Sequence, residues 1–216
     1  MPAEVPHHDA CHHVATLELR ATDAGPVRWA VMIESDTKSW TWVLEKPCPE
    51  CGFEASGVQC QEVAGALRAN AAAWPELLAR PDVRFRPAPN RWSALEYGCH
   101  VRDVFRIFDR RLALMLEQDD PVFDNWDQDR TAVDERYSDQ SPARIAGEIV
   151  DAGSALASRF DSVSGSAWTR TGTRSDGASF TVDSFSRYLL HDPIHHVHDV
   201  ITGYESLSST RAGHEH

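Results

Sequence analysis

The sequence predicts an all-α fold: a four-helix bundle with an irregular N-terminal extension and a long loop between the second and third helices. Three observations carry this expectation. Four stretches repeat apolar residues at three- and four-residue spacing, the period of a helix buried along one face. Two of them open on cap residues: Asn90 or Ser93 for one, the latter with Glu96 three residues on, and Ser141 just before Pro142 for the other. Between the stretches lie segments rich in Pro, Gly and Asp, where neither helical nor strand periodicity is sustained.

Length and composition bound the function. At 216 residues the chain suffices for one domain with a substantial core, and its 42% hydrophobic and 25% charged content is ordinary for a globular protein. A net charge of −12 argues against nucleic acid as a general partner, because phosphate neutralisation needs clustered Lys and Arg. No apolar run approaches a membrane span and no basic-plus-apolar leader is visible, so a cytoplasmic protein without a membrane partner is expected. Five cysteines in a chain of this length do not make a disulfide framework and favour reduced thiols.

Residues 1–38 read as a disordered extension. Its paired histidines around Cys11 (His7, His8, His12, His13) admit a metal-binding tract, but weak periodicity favours a solvated tail. Residues 39–207 form the expected four-helix domain, and 208–216 a second disordered tail. Within the domain, Cys48 and Cys51 make a C-x-x-C followed by glycine, the shape of one zinc knuckle. A structural zinc needs four ligands, so this pair is a possible secondary metal or redox site that Cys60 and Cys99 complete only if folding brings them close. A packed, capping loop is the plainer reading.

The first helix is expected over about 58–80, with Val63, Ala66, Leu67, Trp74, Leu77 and Leu78 on its inner stripe and Pro75 a potential kink. The second runs from about Trp92 to Gln118. Its apolar stripe of Val101, Val104, Phe105, Phe108, Leu112, Met115 and Leu116 also carries His100, with Glu96 and Asp103 close by in sequence. The acidic loop Asp119–Pro142 holds Phe123, Trp126 and Tyr137 and reads as a folded cover; Asp127 and Asp129 are further acids within it. The third helix spans about 142–160, the Asp176-Gly177 turn reads as a hairpin or an irregular excursion, and the fourth helix spans about 182–201 with Gly203 as its stop.

Four of the eleven histidines fall within His191-Asp-Pro-Ile-His195-His196-Val-His198. Residues four apart share a helix face, so His191 and His195 present two imidazoles to one divalent cation such as zinc, nickel or iron. His100, on the second helix, is the natural third ligand. Three histidines would leave a coordination position for a thiol or water, with the catalytic group itself unspecified. His196 and His198, rotated by about 100° and 300° from His195, are assigned to packing, solvent or support. Asp103, Asp199 and Glu96 are candidates to orient the ligands from behind, with helix capping or surface pairing an equal reading for Asp103 and Asp199. Pro193 lies between the two ligands and either kinks the helix or starts it at Asp192; only the first keeps the pair aligned. A histidine set satisfied by Glu96, Asp103 and Asp199, with no metal at all, is the competing reading.

The pattern Trp92-Ser93-x-x-Glu96-x-x-x-His100-x-x-Asp103, followed much later by His191-x-x-x-His195, resembles the DinB-like (DinB/YfiT-like) superfamily over roughly residues 40–205. The CPECG stretch and the WDQD loop resemble an actinobacterial-type branch. The resemblance implies up-down-down-up connectivity and a three-histidine site for a divalent metal. It also implies chemistry with a low-molecular-weight thiol such as mycothiol: S-transfer to a small-molecule electrophile, or thiol-dependent isomerisation. Many members have no known activity, so a non-catalytic metal-binding stress-response protein is the alternative. A homodimer is an allowed assembly.

Overall fold

A computed structural model describes residues 40–212. Four long helices make the bundle: α1 (Val63–Leu78), α2 (Ala94–Glu117), α4 (Pro142–Asp161) and α5 (Val182–Ala212); a short α3 (Gln128–Asp134) lies in the loop between α2 and α4. Around the bundle the helices pack in the order α1, α4, α2, α5 and back to α1. Their directions follow from side-chain contacts. Arg102 reaches Glu148 and Arg159 reaches Asp109, so α2 and α4 run parallel. Arg68 near the start of α1 meets Asp161 at the end of α4, so α1 opposes both. Asn70 donates to the Pro193 carbonyl and Tyr204 to that of Leu77, so α5 runs with α1. The result is the up-down-down-up bundle that the sequence resemblance implies.

Each helix starts where its local chemistry dictates. The Ser93 Oγ accepts from the Glu96 amide while the Glu96 carboxylate accepts from the Ser93 amide at 2.8 Å, a complete capping box. Ser141 caps α4, with Pro142 in its first turn. Buried Val63, Leu67, Ala71, Trp74 and Leu78 on α1 meet Ile145, Ile149, Leu156 and Phe160 of α4 and Leu95, Val101, Phe105 and Leu112 of α2 in one core. A three-stranded sheet closes one end: β1 (Val122–Phe123) pairs parallel with β2 (Thr171–Arg174), which pairs antiparallel with β3 (Ser179–Thr181). The turn between β2 and β3 carries Asp176-Gly177, as the sequence predicts. The acidic loop is folded, contributing β1, α3 and the buried Tyr137.

Two expectations for the last helix change. α5 runs on through Gly203 to Ala212, past the stop expected there and past the boundary drawn at 207. Gly203 serves a close approach rather than a cap, since a Cβ there would stand 3.3 Å from the Pro87 ring. Beyond it Tyr204 is buried against α1 with the Arg80 guanidinium 3.9 Å over its ring, which rewards continuing the helix. Pro193 also lies inside unbroken α5, so His191 and His195 keep one face, their ring centroids 5.1 Å apart. Residues 1–38, with the His/Cys tract around Cys11, and the end of the C-terminal tail lie outside the described residues. Among the described residues no helix is long and apolar enough to cross a membrane.

Candidate metal centres

On α5 the run His191-Asp192-x-x-His195-His196 offers two pairs at four-residue spacing, offset by one residue and so by about 100° around the axis. Each pair meets different partners. Asp192 and His196 face α2, where they join His100; His191 and His195 face the segment before α1, where they join Cys48 and Cys51. Within each set the donor atoms all lie within 4.8 Å of one another. The three histidines expected to act together are therefore divided between two groups. His100 is placed with Asp192 and His196, and His196, expected to pack or support, is a full member of that group.

In the first group, His100 Nε2 stands 3.4 Å from Asp192 Oδ1, and His196 Nε2 stands 3.7 Å from the same oxygen. These separations are too long for good hydrogen bonds. They match ligands around one ion, since donors at about 2.1 Å in a tetrahedron stand about 3.4 Å apart. Asp192 Oδ1 is shielded from water and has no hydrogen-bond partner, as an oxygen reserved for a cation would be. The His196 Nδ1–H donates to Asp199 Oδ2 at 3.0 Å, which turns its Nε2 toward the group. Burial opposes charge on His196, but Asp192 and Asp199 together hold its pKa above the usual histidine value. Burial likewise opposes charge on Asp192, yet His100 and His196 draw its pKa down to about 2. The donor set is thus two imidazoles and one carboxylate that ionises readily.

A cavity of about 560 Å³ opens beside this group, with Asp192 and His196 in its wall and fully buried His100 behind them. Trp126, from the acidic loop, stacks on the His100 ring at 5.2 Å with an interplanar angle of 7°. Trp40, Phe108 and Tyr188 line the rest with Arg111 and Arg174. Arg174 is paired with Asp176 at 2.8 Å, whereas Arg111 donates to the Asp124 carbonyl at 2.6 Å and forms no ion pair among the described residues. Burial, with Arg174 nearby, pushes the Arg111 guanidinium down to about 10, so it stays cationic at neutral pH and favours an anionic neighbour. Asp127 and Asp129 also line this cavity; Asp127 caps α3 by accepting from the Arg130 amide.

In the second group, Cys48 Sγ lies 3.6 Å from His195 Nδ1, and the far side of that ring, Nε2, lies 3.6 Å from both Asp199 and Glu50. His191 Nε2 is buried without a hydrogen-bond partner. Burial, with His195 beside it, pushes His191 down to about 4, which keeps the imidazole neutral. Trp40 and Phe53 wall the pair, each 5.6 Å from the His191 ring.

A helical bundle of this connectivity, with histidines on facing helices, agrees with the family comparison: the DinB superfamily model matches residues 65–200. The chain belongs to the DinB superfamily. Among solved structures, YfiT from Bacillus subtilis, described as a probable metal-dependent hydrolase with an unusual four-helix bundle topology, shares the fold. Its TM-score is 0.60 at 14% identity, over 72% of this chain and 88% of YfiT. No curated protein matches the chain.

The remaining candidates divide cleanly. Asp199 stands behind both groups. Glu96 is bound by Arg86 at 2.9 Å and by the Ser93 cap, and Asp103 pairs with Arg102 at 2.8 Å and accepts from the Tyr137 hydroxyl at 2.6 Å; both hold the fold around His100 rather than touching a ligand ring. Cys60 bonds Asp183 and Cys99 approaches the Tyr137 carbonyl, so neither joins Cys48 and Cys51. Asp192 was not singled out from the sequence because its neighbour His191 shows the same spacing with a more familiar ligand type. The signal was present in the D-x-x-x-H that overlaps H-x-x-x-H.

Proposed function

We propose that the chain is a divalent-metal enzyme whose metal is held by His100, Asp192 and His196 and whose small substrate occupies the adjoining cavity. The observation that carries this reading is the shielded, unpartnered Asp192 oxygen between two imidazoles 3.4 and 3.7 Å away, on a cavity wall. A metal in this set would have coordination positions to spare and would supply Lewis acidity, lowering the pKa of a thiol or water beside it. The protein's own groups complete the site. Asp199 holds His196 in the ligating tautomer. Trp126 covers His100 and keeps bulk water from that side. Arg111 offers a buried positive charge to an anionic group of the substrate.

The nucleophile we favour is the sulfur of a low-molecular-weight thiol of the mycothiol type. It forms a carbon–sulfur bond with an electrophile as the leaving group departs, or adds to and is expelled from a cis double bond. The resemblance of Trp92–Asp103, the stretch that carries His100, to a superfamily with thiol-using members supports it. A second reading, hydrolysis by water, is favoured by the donor set itself, since two imidazoles and one carboxylate are the ligands of several zinc hydrolases, and by the description of YfiT. The test is turnover by metal-loaded protein of a thiol plus a carboxylate-bearing electrophile, beside anionic esters and amides. Turnover with thiol, abolished by Asp192→Asn and raised in KM by Arg111→Gln, is the expected result. Turnover of esters without thiol selects hydrolysis, and metal binding with no turnover across both panels sinks the enzymatic reading in favour of a non-catalytic metal protein.

A further inference from the structure

We infer that Cys48, Cys51, His191 and His195 form a second metal centre: a closed, four-ligand zinc site that staples the segment before α1 to α5. The geometry is that of a tetrahedron. With metal–sulfur and metal–nitrogen distances of about 2.3 and 2.05 Å, a sulfur and a nitrogen ligand stand about 3.6 Å apart; Cys48 Sγ and His195 Nδ1 are 3.6 Å apart. All four donor atoms lie within 4.8 Å of one another. Cys48, His191 and His195 are buried, and His191 Nε2 has no other partner.

The local backbone is built for this use. Pro47 and Pro49 flank Cys48; the Gly52 amide donates to the Cys48 carbonyl at 3.0 Å and the Cys48 amide to the Phe53 carbonyl at 2.9 Å. The turn needs Gly52 at φ 73°, a left-handed conformation that side chains other than glycine adopt at a cost. This knuckle presents both sulfurs to one point, as a C-x-x-C-G turn does in zinc sites. Asp199 and Glu50 face the outer nitrogen of His195 at 3.6 Å, where acceptors favour ligation through Nδ1.

Its role differs from that of the first centre. Four protein ligands leave no open position, so the ion is structural. The knuckle lies outside residues 65–200, the part that matches the family, while His191 and His195 lie within it. By tying the knuckle to the turn of α5 that carries Asp192 and His196, the ion fixes the Trp40–Leu44 turn, whose Trp40 walls the cavity.

Cobalt spectroscopy of the full chain tests the proposal under reducing conditions. The expected result is a near-ultraviolet thiolate-to-cobalt charge-transfer band with strong tetrahedral d–d bands, displaced by zinc. The band should persist in Cys11→Ser/Cys60→Ser/Cys99→Ser and in His100→Ala, and vanish in Cys48→Ser/Cys51→Ser. In His191→Ala the tightly held zinc should fall by about one ion per chain. Absence of the band from the wild-type chain overturns the proposal, whatever the variants do. So does its survival in Cys48→Ser/Cys51→Ser or its loss from the triple serine variant. Because His100→Ala removes a ligand of the other centre only, failure of the enzymatic reading and failure of this one give different spectra.

Discussion

The two donor groups on α5 share a helix turn, an offset of one residue and the supporting Asp199, yet they face opposite chemistry. His191 and His195 meet two thiols delivered by a tight knuckle, with Trp40 and Phe53 packed against the His191 ring, and both also edge the cavity. Asp192 and His196 meet a single imidazole from α2 and open onto a cavity with a buried arginine in its wall. The helix supplies two ligands to each; the partner segment decides the rest. Two sulfurs would complete a four-ligand shell, whereas one imidazole would leave positions free. On the proposed assignments, ligand count, set by what packs against each face, would separate a structural from a reactive role.

This contrast is open to attack in order of expected effect. The largest belongs to His100→Ala, which removes one of the three proposed ligands and should weaken metal binding at the cavity-side group by ~100-fold or more, since losing a mere supporting contact already costs ~10–100-fold. Competitive metal titration measures it, and the thiolate signal of the other group should be unchanged. Equal loss at both groups would mean that they are one coupled centre. Asp199→Asn comes next, at ~10-fold on the cavity-side group and less on the other. Its contact to His196 is 3.0 Å, while those to His195 are 3.6 Å and shared with Glu50. The same titration on both groups ranks the two losses, and the reverse order would relocate its role.

The smallest effect sharpens the comparison from outside. Glu96→Gln should cost about 1 kcal/mol of folding stability in denaturant melts, through the cap and the Arg86 contact, with metal content unchanged. Burial alone would raise the Glu96 pKa, but Arg86 and Ser93 hold it below its unfolded value of about 4.5. Its stabilisation is thus complete above that value and lost as pH falls through the lower folded one. The variant's stability should therefore converge on that of wild type in acid. A change in metal content instead would return Glu96 to the ligand sphere.

Much of this was legible in the chain before any coordinates. Ser93 with Glu96 and Ser141 with Pro142 mark helix starts through hydrogen bonds made within one turn, so they survive any tertiary context. The apolar stripes of α1, α2 and α4 were read correctly for the same reason: periodicity reports which residues share a face. Gly203 misled because glycine signals both a helix stop and a close approach, and only Pro87 packed against it distinguishes the two. For Glu96 and Asp103 the sequence left two roles open, support of a ligand ring and capping or pairing elsewhere. Proximity in sequence to His100 suggested support for its ring, but Arg86, Arg102 and Tyr137 claim their oxygens.

By itself the sequence determined the four-helix class, the H-x-x-x-H pair and the C-P-E-C-G stretch, because each is read from residues a few positions apart. Tertiary structure alone decided the grouping of donors. Both pairs on α5 have the same spacing, and helix period does not say which face meets which neighbour. That depends on the rotation of α5 about its axis, fixed by packing against α1 and α2. It depends equally on a knuckle 147 residues away from the histidine it meets.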